Sequence, residues 1–153
     1  MVDSLSVQDR HQRAHSAVAR FHERLVARDL YGLGHVWAPH GTLEFPFAPP
    51  GWPKLRGRRE ILDYLRDFLR EVRVTEIVEE TRHETADPDV LVVEWVAAAA
   101  AVRSGRHYRL PYVSILEVGA LGILSFRDYW SPLATGHALG RLDELIASQE
   151  SAS

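Results

Sequence analysis

The chain has no cysteine, and a single lysine, Lys54, among its 18 basic residues. The first absence removes disulfides, thiol nucleophiles and cysteine-based zinc sites together. The second reads as the codon bias of a GC-rich genome rather than a phosphate-binding design. The nearest thing to an arginine cluster, Arg56, Arg58 and Arg59, has Glu60 and Asp63 beside it and is expected to be a solvated surface. Long apolar runs are also missing. The longest, residues 90–102, is interrupted by Glu94 and is too short to cross a bilayer. The N-terminal stretch MVDSLSVQDRHQ is polar and lacks an apolar h-region, so a cytoplasmic location is expected. Net charge is only −3, which argues against nucleic acid or an anionic membrane as partner.

What remains is ordinary material for a globular domain. The 153 residues are 46% hydrophobic and 25% charged, enough for one domain with a sizeable core and a cavity in it. The expected domain is 1–153, with its core at about 10–140 and a frayed SQESAS tail.

Periodicity orders the elements. Ser6-Val7-Gln8-Asp9 resembles a capping box, followed by Ala14, Val18, Phe21 and Leu25 at helical spacing, so a helix is expected over 7–28. A short helix over 30–37 ends before Pro39. GTLEFPF, 41–47, reads as a strand, stopped by the proline-rich loop 48–53. Gly57 precedes a helix with the apolar stripe Ile61, Leu62, Leu65, Phe68, Leu69 and Val72. The period then falls to two. Segments 74–85, 90–103, 107–118 and 122–131 read as strands joined by short turns, which implies an antiparallel meander. A tail helix is expected over 135–148. The class is α+β. A curved, mostly antiparallel sheet wraps around the N-terminal helices as a cone-shaped α+β barrel, leaving a cavity between its concave face and the helices.

Side chains alternate across a strand. Phe126, Asp128 and Trp130 therefore share one face, as do Leu110, Tyr112, Ser114 and Leu116, and as do Trp95, Ala97, Ala99 and Ala101. The run VAAAAAV, 96–102, is odd for a strand, because alanine fills little space and favours helix. The flanking VLVVEWV and the Ser104-Gly105 turn favour strand. Small residues there leave room for a ligand, a bulky helix residue, or, on the outer face at Ala98 and Ala100, another subunit.

The element order, GTLEFPFAPPGW, LRGRREILDYL and GRHYRLPYVSILEV…GILSFRDYWSPL together resemble the nuclear-transport-factor-2-like superfamily, which includes SnoaL-like polyketide cyclases, ketosteroid isomerases and limonene epoxide hydrolases. The resemblance covers roughly residues 10–140. It implies a fold that hosts many activities. The groups a ketosteroid isomerase uses would fall on Phe45, Phe21 and Ser114, and none of these can do that chemistry. For the epoxide hydrolases, Arg127-Asp128-Tyr129-Trp130 matches the terminal motif, but their second acid and bridging arginine fall on Ala97 and Trp95. The water-positioning asparagine falls near Glu44. A cyclase using a single acid/base carboxylate in an apolar pocket stays compatible.

Asp128 is thus the leading catalytic candidate. A carboxylate buried without a partner tends to neutralise, and an acid tuned toward neutrality both gives and takes a proton. The structural alternative pairs Asp128 with Arg103 or Arg109, or with a backbone N–H. Glu44 is a second candidate, although alternation against Leu43 and Phe45 turns it outward. His40 precedes the expected first strand and is placed at a pocket mouth. Phe21, Trp37, Phe45, Trp95, Tyr112, Ser114 and Trp130 are the expected substrate-binding wall. His11, His15 and His22 are expected to be solvated on the first helix, and His107 exposed in a hairpin. HQRAH spaces two histidines at i, i+4 but no acid completes a metal site, so no metal and no cofactor are expected. The expected partner is an apolar small molecule. A homodimer through the sheet follows from the resemblance and from the apolar outer face of 90–103. Three readings stand side by side: an acid/base isomerase, cyclase or hydrolase; a non-catalytic ligand binder; and an oligomeric scaffold.

Overall fold

The computed structural model describes residues 4–151. Its first helix, α1 (Val7–Ala27), begins where the capping sequence placed it, with the Ser6 hydroxyl accepting from the Asp9 amide at 3.0 Å. It ends at Arg28, which adopts a left-handed conformation (φ 56°). Helix α2 (Leu30–Gly34) is shorter than the 30–37 expected, because Trp37 already begins strand β1 (Trp37–Glu44). Pro39 therefore lies within the strand. A two-residue strand, β2 (Leu55–Arg56), pairs with β1 and was not foreseen. Helix α3 (Arg58–Glu71) leads into the long strands β3 (Val72–Glu84), β4 (Val90–Ala101), β5 (His107–Gly119) and β6 (Gly122–Trp130). The alanine run is strand, as its flanks implied.

One sheet contains all six strands in the order β2-β1-β6-β5-β4-β3. Every pairing is antiparallel except β1 with β6. The sheet is curved and stays open, with β2 and β3 at its edges, so it is a cone and not a closed barrel. Gly122 makes the β1–β6 junction possible. Its φ is 122°, and a Cβ there would meet the Val36 carbonyl oxygen, which accepts from Ile123 at 2.9 Å.

Helix α1 lies on the concave face with Ala14, Ala17, Val18, Phe21 and Leu25 buried. These pack with Trp37, Leu91, Val93, Trp95, Leu116 and Phe126 in one core cluster. Burying each large side chain contributes about 1.5–3 kcal/mol relative to exposure. Arg58 departs from the solvated arginine patch: it is half-buried and donates from Nη2 to the Trp37 carbonyl at 2.6 Å. The single tail helix expected over 135–148 is two helices, α4 (Pro132–Ala138) and α5 (Leu142–Ser151), separated at Gly140 with φ 69°. The SQESAS tail is helical through Ser151; 152 and 153 lie outside the described residues.

Candidate active site

Between α1, α3 and the concave sheet lies a cavity of about 250 Å³. The last helices form its remaining wall, with Thr135, Gly136, Leu139, Arg141 and Leu145 among the lining residues. Asp128 opens onto it from β6, near Phe45, Tyr64, Tyr112 and Trp130.

The strand registers assemble this floor. Trp95, Tyr112 and Trp130 stand side by side across β4, β5 and β6, and Val93, Ser114 and Asp128 form the next row. Ser114, only 1% exposed, links the rows. The Trp95 indole Nε1–H donates to Ser114 Oγ at 2.9 Å, and Ser114 Oγ–H donates to Asp128 Oδ1 at 3.2 Å. Direction follows from chemistry. An indole nitrogen only donates, so it occupies a lone pair of the serine and leaves the hydroxyl hydrogen for Asp128. Oδ1 is therefore committed as an acceptor, and the acid's own proton belongs on Oδ2.

Neither Arg103 nor Arg109 pairs with Asp128, so the structural alternative is not realised among the described residues. Burial pushes its pKa up to about 7, and the Ser114 hydrogen bond opposes this only in part. The carboxyl is partly accessible yet enclosed by protein, because its open side is the cavity. It is close to half-protonated near neutrality.

The indole of Trp95 is clamped. It stacks on Tyr112 at 4.4 Å and 18°, and contacts the His22 ring at 4.6 Å on an inclined plane. His22 corrects an expectation, since it is 7% exposed and not solvated. It follows Phe21 on the helix face that packs against the sheet, with Nδ1 3.5 Å from Glu80 Oε1. Burial lowers its pKa to about 4 despite Glu80, so it is neutral at pH 7. His11 and His15 are likewise drawn toward β3, where both approach Glu84, at 3.8 and 3.0 Å. His107 is exposed as expected.

Of the expected wall, Phe21, Trp37, Phe45, Trp95, Tyr112 and Trp130 line the cavity, and Ser114 sits behind Asp128. Glu44 and His40 do not reach it. Glu44 stands opposite Arg127 in the β1–β6 register, on the outer face, with Lys54 Nζ at 3.5 Å. His40 is exposed on β1, within the register shift between Trp37 and Thr42. Ala97 and Ala99 are buried without lining the void; their neighbours on β5, Leu110 and Tyr108, line it instead. Among the described residues no group of three or more histidine, aspartate or glutamate side chains is arranged to hold a metal.

Tyr64 and Trp52 were not foreseen. Tyr64 lies on α3 at positions 61, 64, 65 and 68 of one helical stripe, and that spacing carried the signal. Trp52 comes from the proline-rich loop and donates to the Tyr64 hydroxyl at 3.3 Å.

Residues 18–124 match the SnoaL-like domain family, and the chain belongs to it. An uncharacterized PhzA/B-like protein of Pseudomonas aeruginosa is 37% identical over 118 residues, which span 75% of this chain and 82% of that one. The uncharacterized protein YesE of Bacillus subtilis is 28% identical over 130 residues, 84% of this chain and 88% of its own. A crystal structure described as a "putative isomerase" from Bacillus subtilis superposes with a TM-score of 0.81 at 25% identity, covering 90% of this chain and 97% of that one. One described as a "putative polyketide cyclase" from Xanthomonas campestris gives 0.73 at 15% identity, over 85% and 98%. The fold is nuclear-transport-factor-2-like. No helix among the described residues is long and apolar enough to cross a membrane.

Proposed function

We propose that the protein is an acid/base enzyme that isomerises, cyclises or hydrolyses an apolar, oxygen-bearing small molecule, with Asp128 as the proton carrier. One observation carries this reading: a carboxyl group without a cationic partner among the described residues, opening onto an apolar cavity, with burial raising its pKa to about 7. Such a group takes a proton as carboxylate and returns it as acid without a large driving force in either direction. The aromatic wall supplies apolar contact and excludes water. The names of the cyclase and isomerase neighbours agree with this chemistry. The chain's own residues suffice for the proton transfer proposed.

The test is turnover of a panel of apolar ketones, enones and epoxides by wild type and Asp128→Asn, each followed by NMR in D2O. Loss of conversion and of solvent-deuterium uptake in a folded variant supports the reading. Equal rates in the two proteins sink it. A second reading is a binder of the same ligands without catalysis. It is favoured by Glu44 and His40 lying outside the chamber, so neither of the two expected partners reaches Asp128. Recovery of every panel compound unchanged, with measurable affinity, selects it.

A further inference from the structure

Four aromatic side chains enclose one end of the chamber, and proton transfer by Asp128 gives their arrangement no task. Phe45 follows β1, Trp52 comes from the proline-rich loop, Tyr64 from α3 and Trp130 from the end of β6, and all four line the cavity. They meet in a closed circuit. Phe45 lies 4.9 Å from Tyr64 and 6.2 Å from Trp130, centroid to centroid. Trp52 lies 5.6 Å from Trp130, and its Nε1–H donates to the Tyr64 hydroxyl at 3.3 Å. Among the described residues neither diagonal, Phe45 to Trp52 or Tyr64 to Trp130, is a ring contact. The planes at the two Trp130 corners are inclined at 65° and 70°, as adjoining walls of a box are.

Charge points to what such a box holds. The face of an aromatic ring is negative and attracts a cation within about 6 Å of its centroid. Asp128 precedes Trp130 by two residues on the same face of β6, about 7 Å along the strand, and no cation pairs with it among the described residues. The other charges on the cavity wall are paired. Asp67 has Arg70 at 3.6 Å, and Glu71 has Arg141 at 3.2 Å, which Glu144 also holds at 2.9 Å. The wall therefore carries one uncompensated acid beside four rings. An anion would meet that acid. A primary ammonium would bring three N–H donors to rings that accept weakly, with the Tyr64 oxygen already engaged by Trp52. A quaternary ammonium has no N–H to satisfy, and its methyl groups suit apolar walls.

We propose that Phe45, Trp52, Tyr64 and Trp130 form a seat for a quaternary ammonium group, and that the chamber takes a monocation with an apolar body, its charge set against Asp128. Naming that cation as the substrate rests on the proton-carrier reading; its binding does not.

The probe is phenyltrimethylammonium, compared with tert-butylbenzene, which has the same shape without the charge, and with benzoate and benzylamine. The variants are Trp52→Leu and Trp130→Leu, with Trp52→Phe and Trp130→Phe as ring-retaining controls and circular dichroism as the check on folding. Wild type should prefer the cation to tert-butylbenzene by about tenfold, and ring currents should move the bound N-methyl proton resonance upfield. Each leucine variant should lower the preference about two- to fivefold, and each phenylalanine variant should keep most of it. The seat is overturned by an unshifted methyl resonance, by a preference unchanged in both leucine variants, by equal or tighter binding of any of the three comparison compounds, or by no binding of the cation at millimolar concentration. Asp128→Asn separates the two claims. It should weaken the cation's binding, keep the upfield shift and lose turnover of the panel compounds. Turnover that persists with the shift intact removes the proton-carrier reading and leaves the seat standing. An unshifted resonance in a wild type that turns over neutral ketones removes the seat alone.

Discussion

Two aspartates on neighbouring parts of the sheet meet opposite surroundings. Asp89, in the turn between β3 and β4, receives Arg10 at 2.9 and 2.7 Å and Arg13 at 3.1 Å, and these hydrogen bonds and charges hold its pKa below the usual range. Asp128, on β6, receives one serine hydroxyl and, among the described residues, no cation, and burial raises its pKa to about 7. The side chains are chemically identical. Asp89 is satisfied and fastens the start of α1 to the turn ends of the sheet, where its carbonyl also accepts from the Val118 amide. Asp128 is left under-satisfied beside a void. Stability is maximised at the first and forgone at the second, as expected where a site must keep a reactive group available.

The largest test removes the unsatisfied group. Asp128→Asn should lower turnover by about a hundredfold or more, measured on whichever panel compound wild type converts. It should also raise stability at alkaline pH. In wild type the folded pKa lies above the unfolded one, so the carboxyl's contribution is present below about pH 4 and is lost as pH rises to 7. Above that the variant should exceed wild type by roughly 2–4 kcal/mol in urea titrations, and the two should converge near pH 4. A variant less stable than wild type at pH 8 would mean that Asp128 has a partner after all.

Asp89→Asn should do the reverse. Loss of charge-assisted bonds to two arginines should cost about 1–3 kcal/mol at pH 7 and leave turnover within twofold. A comparable loss of activity would erase the distinction between the two carboxylates.

His22 sharpens the same contrast from the basic side. Its folded pKa of about 4 lies below the unfolded 6.5, so its contribution is present above pH 6.5 and is lost as pH falls toward 4. Wild type should lose roughly 1–3 kcal/mol over that window relative to His22→Phe, with Glu80 and Arg82 unchanged in both. Parallel pH curves would show that the histidine is not buried as described.

The smallest effect tests the serine. Ser114→Ala should move the titration midpoint of Asp128 upward, followed by the carboxyl 13C resonance, because a bond that favours the carboxylate is gone. Trp95→Phe should move it less, and Ser114→Thr should restore it. An unmoved midpoint in Ser114→Ala would mean that the hydroxyl points elsewhere.

Much of this was legible in the chain. Asp128 stands out because it interrupts an aromatic alternation, whereas the register that places it beside Ser114 depends on a bulge at Glu117/Val118 that the turn between β5 and β6 does not announce. The first helix was marked by its cap. Other features depend on contacts that no local pattern encodes. His22 looked solvated because helical spacing alone does not say how wide a stripe the sheet will cover. Tyr64 lies at the edge of the apolar stripe of α3, where a tyrosine fits the helix surface as well as a cavity wall, and only the seating of α3 against the sheet decides between them. His40 was misplaced because β1 begins four residues earlier than its composition suggested, with a proline inside. The break at Gly140 was missed because both flanking segments are helix-compatible.

That break lets the chain fold back to close one side of the chamber. Residues 135–145 form one wall but belong to no strand, and Arg141 ties them to Glu71 of α3 at 3.2 Å in an exposed pair. Such pairs hold with only ~0.2–1 kcal/mol and weaken as ionic strength rises. Added salt should therefore loosen the one ion pair that Arg141 makes to α3, while the apolar contacts of Leu139 and Leu145 along the same wall are untouched by it.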